Sequence, residues 1–219
     1  MTAPVASAAG APPGEPAPEK QAYRIAALGD SLTDEKSFGG GYLGYVAERC
    51  PETRIDNFAK GGHMVNQIRR RFENQVHNQP IGTYTHLVVY GGVNDLYSDL
   101  TAGRTPDKVE SDLAVIYEKA RTKGIEVVAI TVSPWGGFKR YYNDRRQAYT
   151  ERLNSWIRQQ LRQGKIDHVV DSYPLLSCGA PERLCPEYEQ SSHDGLHLGK
   201  IGHEILGRAL YEQVFENCR

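Results

Sequence analysis

The chain has 219 residues, 24% of them charged and 39% apolar, with a formal net charge of −1. That length suits one domain with room for a full core. The near-neutral balance gives no bulk argument for a nucleic-acid or anionic-membrane partner. No apolar run approaches the roughly 18 residues of a membrane-spanning helix.

Residues 1–20, MTAPVASAAGAPPGEPAPEK, contain no aromatic residue, Leu or Ile. Such a segment buries too little apolar surface to order itself and reads as a disordered tether. It lacks the basic start and apolar centre of a signal peptide. One expectation is that an export signal once preceded it. A single domain is expected over 21–219.

Within that domain five short apolar segments recur every 30 to 40 residues or so, as βα units do. They are YRIAAL (23–28), TRIDNF (53–58), HLVVYG (86–91), IEVVAITV (125–132) and IDHVVD (166–171). The third and fourth are nearly continuous apolar runs, as in central parallel strands covered on both faces.

Helical patterns lie between the strands. Over 41–50, Leu43, Val46 and Ala47 share one face. Over 64–76, Val65, Ile68, Phe72 and Val76 do so. The stretch 106–124 opens on a Pro and stops at a Gly, as helices often do. Over 142–164, Tyr149, Leu153, Trp156, Ile157 and Leu161 recur at helical spacing, and 200–218 closes the chain. Alternating strands and helices imply a three-layer α/β/α sandwich around a parallel sheet. Active sites in such folds form at the carboxyl ends of the strands.

The residues after the strands are therefore the candidates. Gly29, Asp30 and Ser31 follow the first, and NFAKGGHM with Gly61 and Gly62 ends the second. Gly92, Asn94 and Asp95 follow the third, and HDGLHLGKIGHE lies before the last helix. On its own segment Ser31 suits a helix N-cap as well as a nucleophile. Ester hydrolysis needs a hydroxyl, a base to take its proton, an acid to orient that base, and donors for the oxyanion. Ser31, His197 and Asp194 supply the first three by residue type. The backbone N–H groups of Ser31 and Gly62 and the Asn94 amide supply donors. His193 is an alternative base. Asp171 is a rival acid, with capping as its other use. Asp30, Asp34 and Asp95 read as turn residues, and Asn57 as a bond to a neighbouring loop.

These blocks together resemble the SGNH hydrolases, also called the GDSL lipase and esterase family. GDSLTD matches their first block with Ser31. Asn57 and Gly62 match the second, N-x-G-x-x-G, with Ala59 in place of the middle Gly. Gly92, Asn94 and Asp95 match G-x-N-D, and Asp194 and His197 match D-x-x-H. The resemblance spans about 23–218. It implies a flavodoxin-like five-stranded parallel sheet of order 2-1-3-4-5 and a Ser31–His197–Asp194 triad with Ser31, Gly62 and Asn94 as the oxyanion hole. It also implies hydrolysis of carboxylic esters of acylated sugars, lipids or small alcohols, with no metal or organic cofactor. Acyl transfer to a sugar or alcohol is the alternative chemistry, and a non-catalytic binding protein a different class.

Other motifs fall short. G-x-S-x-G is absent because position 33 is Thr. The G-x-G-x-x-G of Gly39, Gly41 and Gly44 starts some ten residues after the strand, too late for a dinucleotide turn. Cys178, Cys185, His193 and His197 can be drawn as a zinc site, but six residues separate the cysteines, where two to four are typical. The remaining histidines, His63, His77, His86, His168 and His203, read as solvent-facing or satisfied structural groups. His63 lies nearest the site. Phe38, Tyr42, Tyr97, Trp135, Phe138, Tyr141 and Tyr142 crowd the expected rim, and Phe38, His63, Trp135 and Phe138 are the candidate substrate contacts. An even count of four cysteines, two bracketing CGAPERLC, suits two disulfides in a secreted or periplasmic protein. Four free thiols in a cytosolic enzyme are the other reading.

Overall fold

The computed structural model describes residues 21–218, so the expected tether over 1–20 lies outside the described residues. The five strands are β1 (Arg24–Gly29), β2 (Arg54–Asn57), β3 (His86–Tyr90), β4 (Glu126–Ile130) and β5 (His168–Val170). All pair in parallel, in the order β2-β1-β3-β4-β5. Each falls within one of the five apolar segments or one residue beyond its end.

The main helices are α1 (Gly41–Arg49), α2 (Val65–Phe72), α3 (Val93–Tyr97), α4 (Pro106–Thr122), α5 (Asp144–Arg162), α6 (Ser172–Leu175) and α7 (Lys200–Leu210). α2 runs on into one wide turn, Glu73–His77, and α7 into another, Tyr211–Phe215. Side chains alternate across a strand, and the sheet therefore splits its core in two. Ala26, Leu28, Leu87, Val89, Val127 and Ala129 pack with α2, α4 and α5. Ile25, Ala27, Val88, Tyr90, Val128 and Ile130 pack with α1 and α7. With both faces covered, the central strands are apolar at nearly every position.

Two helix faces differ from the periodic reading. Ala47 is exposed, and Tyr42 joins Leu43 and Val46 inside instead. Leu161, near the end of α5, is 40% exposed. The four cysteines form two disulfides, Cys50–Cys218 and Cys178–Cys185. The first joins the end of α1 to the end of the chain.

Candidate active site

Ser31 sits where β1 turns sharply away from the sheet. The Asp30 carbonyl accepts from Thr33 N at 3.1 Å and Asp34 N at 2.9 Å. The Asp30 carboxylate accepts from Leu32 N at 3.0 Å. No helix starts at Ser31; a short 3-10 turn follows at Glu35–Ser37, and the first α-helix is α1 at Gly41. The capping role suggested by the local sequence is thus absent, and Ser31 gains no help from a helix dipole.

Its Oγ lies 2.9 Å from His197 Nε2. On the other side of the ring, His197 Nδ1 is 2.7 Å from Asp194 Oδ2. A single loop fixes both partners. Asp194 Oδ1 accepts from Leu196 N at 3.0 Å and His197 N at 2.9 Å, an Asx-type turn. Gln190 Nε2 donates to Asp194 Oδ2 at 3.0 Å. Burial alone would raise the Asp194 pKa. The bonds from the His197 backbone and ring and from Leu196 N outweigh it and hold the carboxyl at about 2. Asp194 is therefore an anion at neutral pH.

Gly195 completes the loop at φ +76°, a left-handed conformation. A Cβ there would lie 2.1 Å from the Gly137 carbonyl carbon. The loop after β4 thus packs backbone to backbone against the loop carrying Asp194 and His197.

Gly62 occupies the third position of a tight turn in which His63 N bonds the Lys60 carbonyl at 3.2 Å. Its φ of +76° is what that position demands. Ala59 needs no such conformation, since Phe38 and His193 are the non-glycine residues at positive φ among those described. The missing middle glycine of the second block therefore leaves this turn intact. Asn57 bonds the Thr33 carbonyl at 2.8 Å and Ala59 N at 3.1 Å, holding the turn to the Ser31 segment. Asp34 adds a bond from Gly61 N at 2.8 Å. Asn94 is 5% exposed, and one of its amide N–H groups is committed to the His63 carbonyl at 3.1 Å. Ser31, Gly62, Asn94 and His197 line one open cleft.

Comparison with known proteins places the chain in a family. The model of the GDSL-like lipase/acylhydrolase family matches residues 27–205. The chain belongs to that family. Membership makes it a hydrolase of the serine-esterase class. No curated protein matches it. Among solved structures it resembles a GDSL-like lipase from Bacteroides thetaiotaomicron, at 22% identity and a TM-score of 0.71 over 87% of this chain and 86% of that one. It also resembles a lipase/acylhydrolase from Enterococcus faecalis, at 19% identity and a TM-score of 0.69 over 87% and 94%. A catalytic mutant of an acetylxylan esterase from Geobacillus stearothermophilus aligns at 19% identity and a TM-score of 0.71 over 91% and 98%.

In this GDSL acylhydrolase the cleft holds about 450 Å³. Phe38, Tyr97, Phe138 and Tyr141 form its aromatic side. Phe38 is 85% exposed. Phe138 packs on Tyr97 and Tyr141, with ring centres 6.3 and 4.9 Å away. Two expected substrate contacts fall elsewhere. Trp135 is fully buried, because its indole N–H reaches Thr150 Oγ1 on α5 at 2.9 Å and its ring packs edge-on to Tyr142. His63 does not line the cleft; its carbonyl anchors Asn94 while its ring is partly buried. Tyr42 is also internal, bonded to Thr33 Oγ1 at 2.9 Å.

Asp171 makes no capping bond. It pairs with Arg158 at 2.7 and 3.1 Å and accepts from Thr131 Oγ1, so it is engaged away from His197. Asp95 holds the start of α2 through Val65 N at 2.8 Å and meets Arg104 Nε at 2.7 Å. Arg104 reaches on to Asp112 at 2.6 Å. Gln190 and Arg104 were not among the residues singled out from sequence. Neither stands at a strand end or in a recognisable spacing, so no local signal marks them.

Proposed function

We propose that the protein hydrolyses carboxylic esters through an acyl-enzyme on Ser31. The observation that carries this reading is the chain of two short hydrogen bonds, Ser31 Oγ to His197 Nε2 and His197 Nδ1 to Asp194 Oδ2. Ser31 Oγ attacks the ester carbonyl carbon as His197 Nε2 takes its proton. Asp194, already ionised, stabilises the imidazolium and fixes its tautomer. The oxyanion meets Ser31 N–H, Gly62 N–H and the second N–H of Asn94. Collapse expels the alcohol, which leaves with the proton from His197. Water then repeats the sequence and frees the acid.

The favoured substrate class is a small acyl group on a carbohydrate. An open cleft edged by Phe38, Tyr97, Phe138 and Tyr141 suits a sugar lying against aromatic faces, and one structural neighbour is an acetylxylan esterase. The two disulfides support work in an oxidising compartment, outside the cell or in a periplasm. No helix among the described residues is long and apolar enough to cross a membrane.

Ser31→Ala and His197→Ala should each abolish release of p-nitrophenol from p-nitrophenyl acetate. Asn94→Ala should lower kcat about 10²- to 10³-fold. Near-normal turnover in either of the first two variants sinks the mechanism. An acetylated xylo-oligosaccharide should be a better substrate than a long-chain ester; the reverse order removes the carbohydrate assignment. Adding a sugar acceptor and measuring transfer product against free acid separates hydrolysis from acyl transfer.

A further inference from the structure

At the opposite end of the sheet from Ser31, three strands begin with a metal-ligand residue type. His86 opens β3, Glu126 opens β4 and His168 opens β5. The parallel register pairs His86 with Glu126 and His168 with Val128. Glu126 and Val128 are two apart, so all three side chains project from the face that packs α1 and α7. We infer that His86, Glu126 and His168 form a binding site for one zinc ion that ties β3, β4 and β5 together at their amino-terminal ends.

The separations fit zinc. Glu126 Oε2 lies 3.3 Å from His86 Nε2 and 3.4 Å from His168 Nε2. Ligand atoms about 2.0–2.2 Å from a tetrahedral zinc are roughly 3.3–3.6 Å from one another. The ligand atoms of all three residues fall within 4.8 Å of each other. Drawing the two imidazoles slightly together around an ion closes the third edge.

The surroundings prepare His86 for that role. Its Nδ1 lies 3.0 Å from Thr85 Oγ1. That hydroxyl bonds the Arg24 carbonyl at 3.2 Å and accepts from Arg24 N at 3.0 Å. With the hydroxyl proton directed at Arg24, Thr85 accepts from His86 Nδ1–H. The lone pair is then on Nε2, the atom facing Glu126. This is the outer bond that typically orients a ligating histidine. Tyr23 and Phe215 wall the ring, with centres 4.9 and 5.2 Å away.

Asp167 is engaged by Arg121 at 3.0 Å and by Val127 N at 2.9 Å, which leaves three ligands. The fourth position faces solvent, since the Glu126 side chain is 54% exposed and that of His168 33%. A site so placed is structural. It clamps strand ends that lie across the fold from the reaction.

The test is titration of tag-free, chelator-stripped protein with zinc chloride, by calorimetry and by thermal unfolding. The wild-type chain and His197→Ala should each take up one equivalent and gain melting temperature, because zinc binds the folded state. Glu126→Gln and His168→Ala alter exposed side chains; each should weaken zinc binding by about tenfold or more. Failure of the wild-type protein to bind zinc at millimolar concentration overturns the site. So does uptake that is undiminished in both variants.

Discussion

Asp30 is the residue beside Ser31, the proposed nucleophile, and it is fully buried, with Oδ2 lacking a partner among the described residues. Burial drives its pKa up, and Asp95 adds to the rise. The bond from Leu32 N and the nearby His197 offset part of it, leaving a value of about 7 against an ordinary 3.8. The folded state thus holds this proton more tightly than the unfolded chain does. Its contribution to stability is greatest below pH 3.8 and declines as pH rises towards 7. Asp194 acts in the opposite sense, but its contribution is complete above pH 3.8 and fades only as pH falls towards 2. Asp30→Asn keeps an acceptor for Leu32 N and removes the titration. Subtracting the variant's stability from that of the wild type by urea denaturation at several pH values should give a difference that falls from pH 4 to 7 or so. A flat difference counts against a buried acid here.

The same scale shows what local sequence could and could not reveal. Ser31, Asp194 and His197, the proposed triad, can be singled out because acyl chemistry restricts residue types and the fold restricts them to strand ends. Gln190 was not, since a glutamine four residues before the acid in an irregular loop carries no periodic or motif signal. Trp135 misled for a related reason. A Gly-rich loop after a strand reads as surface, yet the partner of the indole N–H is Thr150, fifteen residues away on a helix.

Among elements, Arg104 joins α3 to α4. Its side chain is 9% exposed, and it bonds both Asp95 on α3 and Asp112 on α4. Asp95 in turn holds the first turn of α2. One guanidinium therefore sets three helices on one face of the sheet, beside Asn94. Arg104→Ala would leave Asp95 buried and unpaired, and should cost about 3–5 kcal/mol in chemical denaturation. A loss below about 1 kcal/mol would mean that the pair is screened like a surface bridge. Strands and long helices were readable here from periodicity. α3, with five residues, was not, because it is too short for a repeat to show. The Arg104 junction was equally hidden, as it depends on helices meeting in space.

For the molecule as a whole, the two disulfides close loops of very different length. Cys50–Cys218 spans 168 residues and Cys178–Cys185 only 7. Chain entropy assigns about 5 kcal/mol to the long closure and about 2.5 kcal/mol to the short one. Replacing Cys50 and Cys218 by Ala should lower stability to urea more than replacing Cys178 and Cys185. The reverse order would show that the short bridge acts through native packing rather than through the unfolded chain. An even cysteine count suggested two bridges, but the pairing rests on α1 and the last turn of the chain meeting at the sheet face.

The bond between Ser31 and His197 joins residues 166 apart in sequence, whereas Asp194 and His197 are three apart. Asp194 and His197 can find each other as soon as their own loop closes. Ser31 joins them only when the first and last βα layers have docked. With Ser31 as the proposed nucleophile, recovery of turnover during refolding should date the final closure of the chain, so that enzymatic activity would serve this protein as a clock for its own folding.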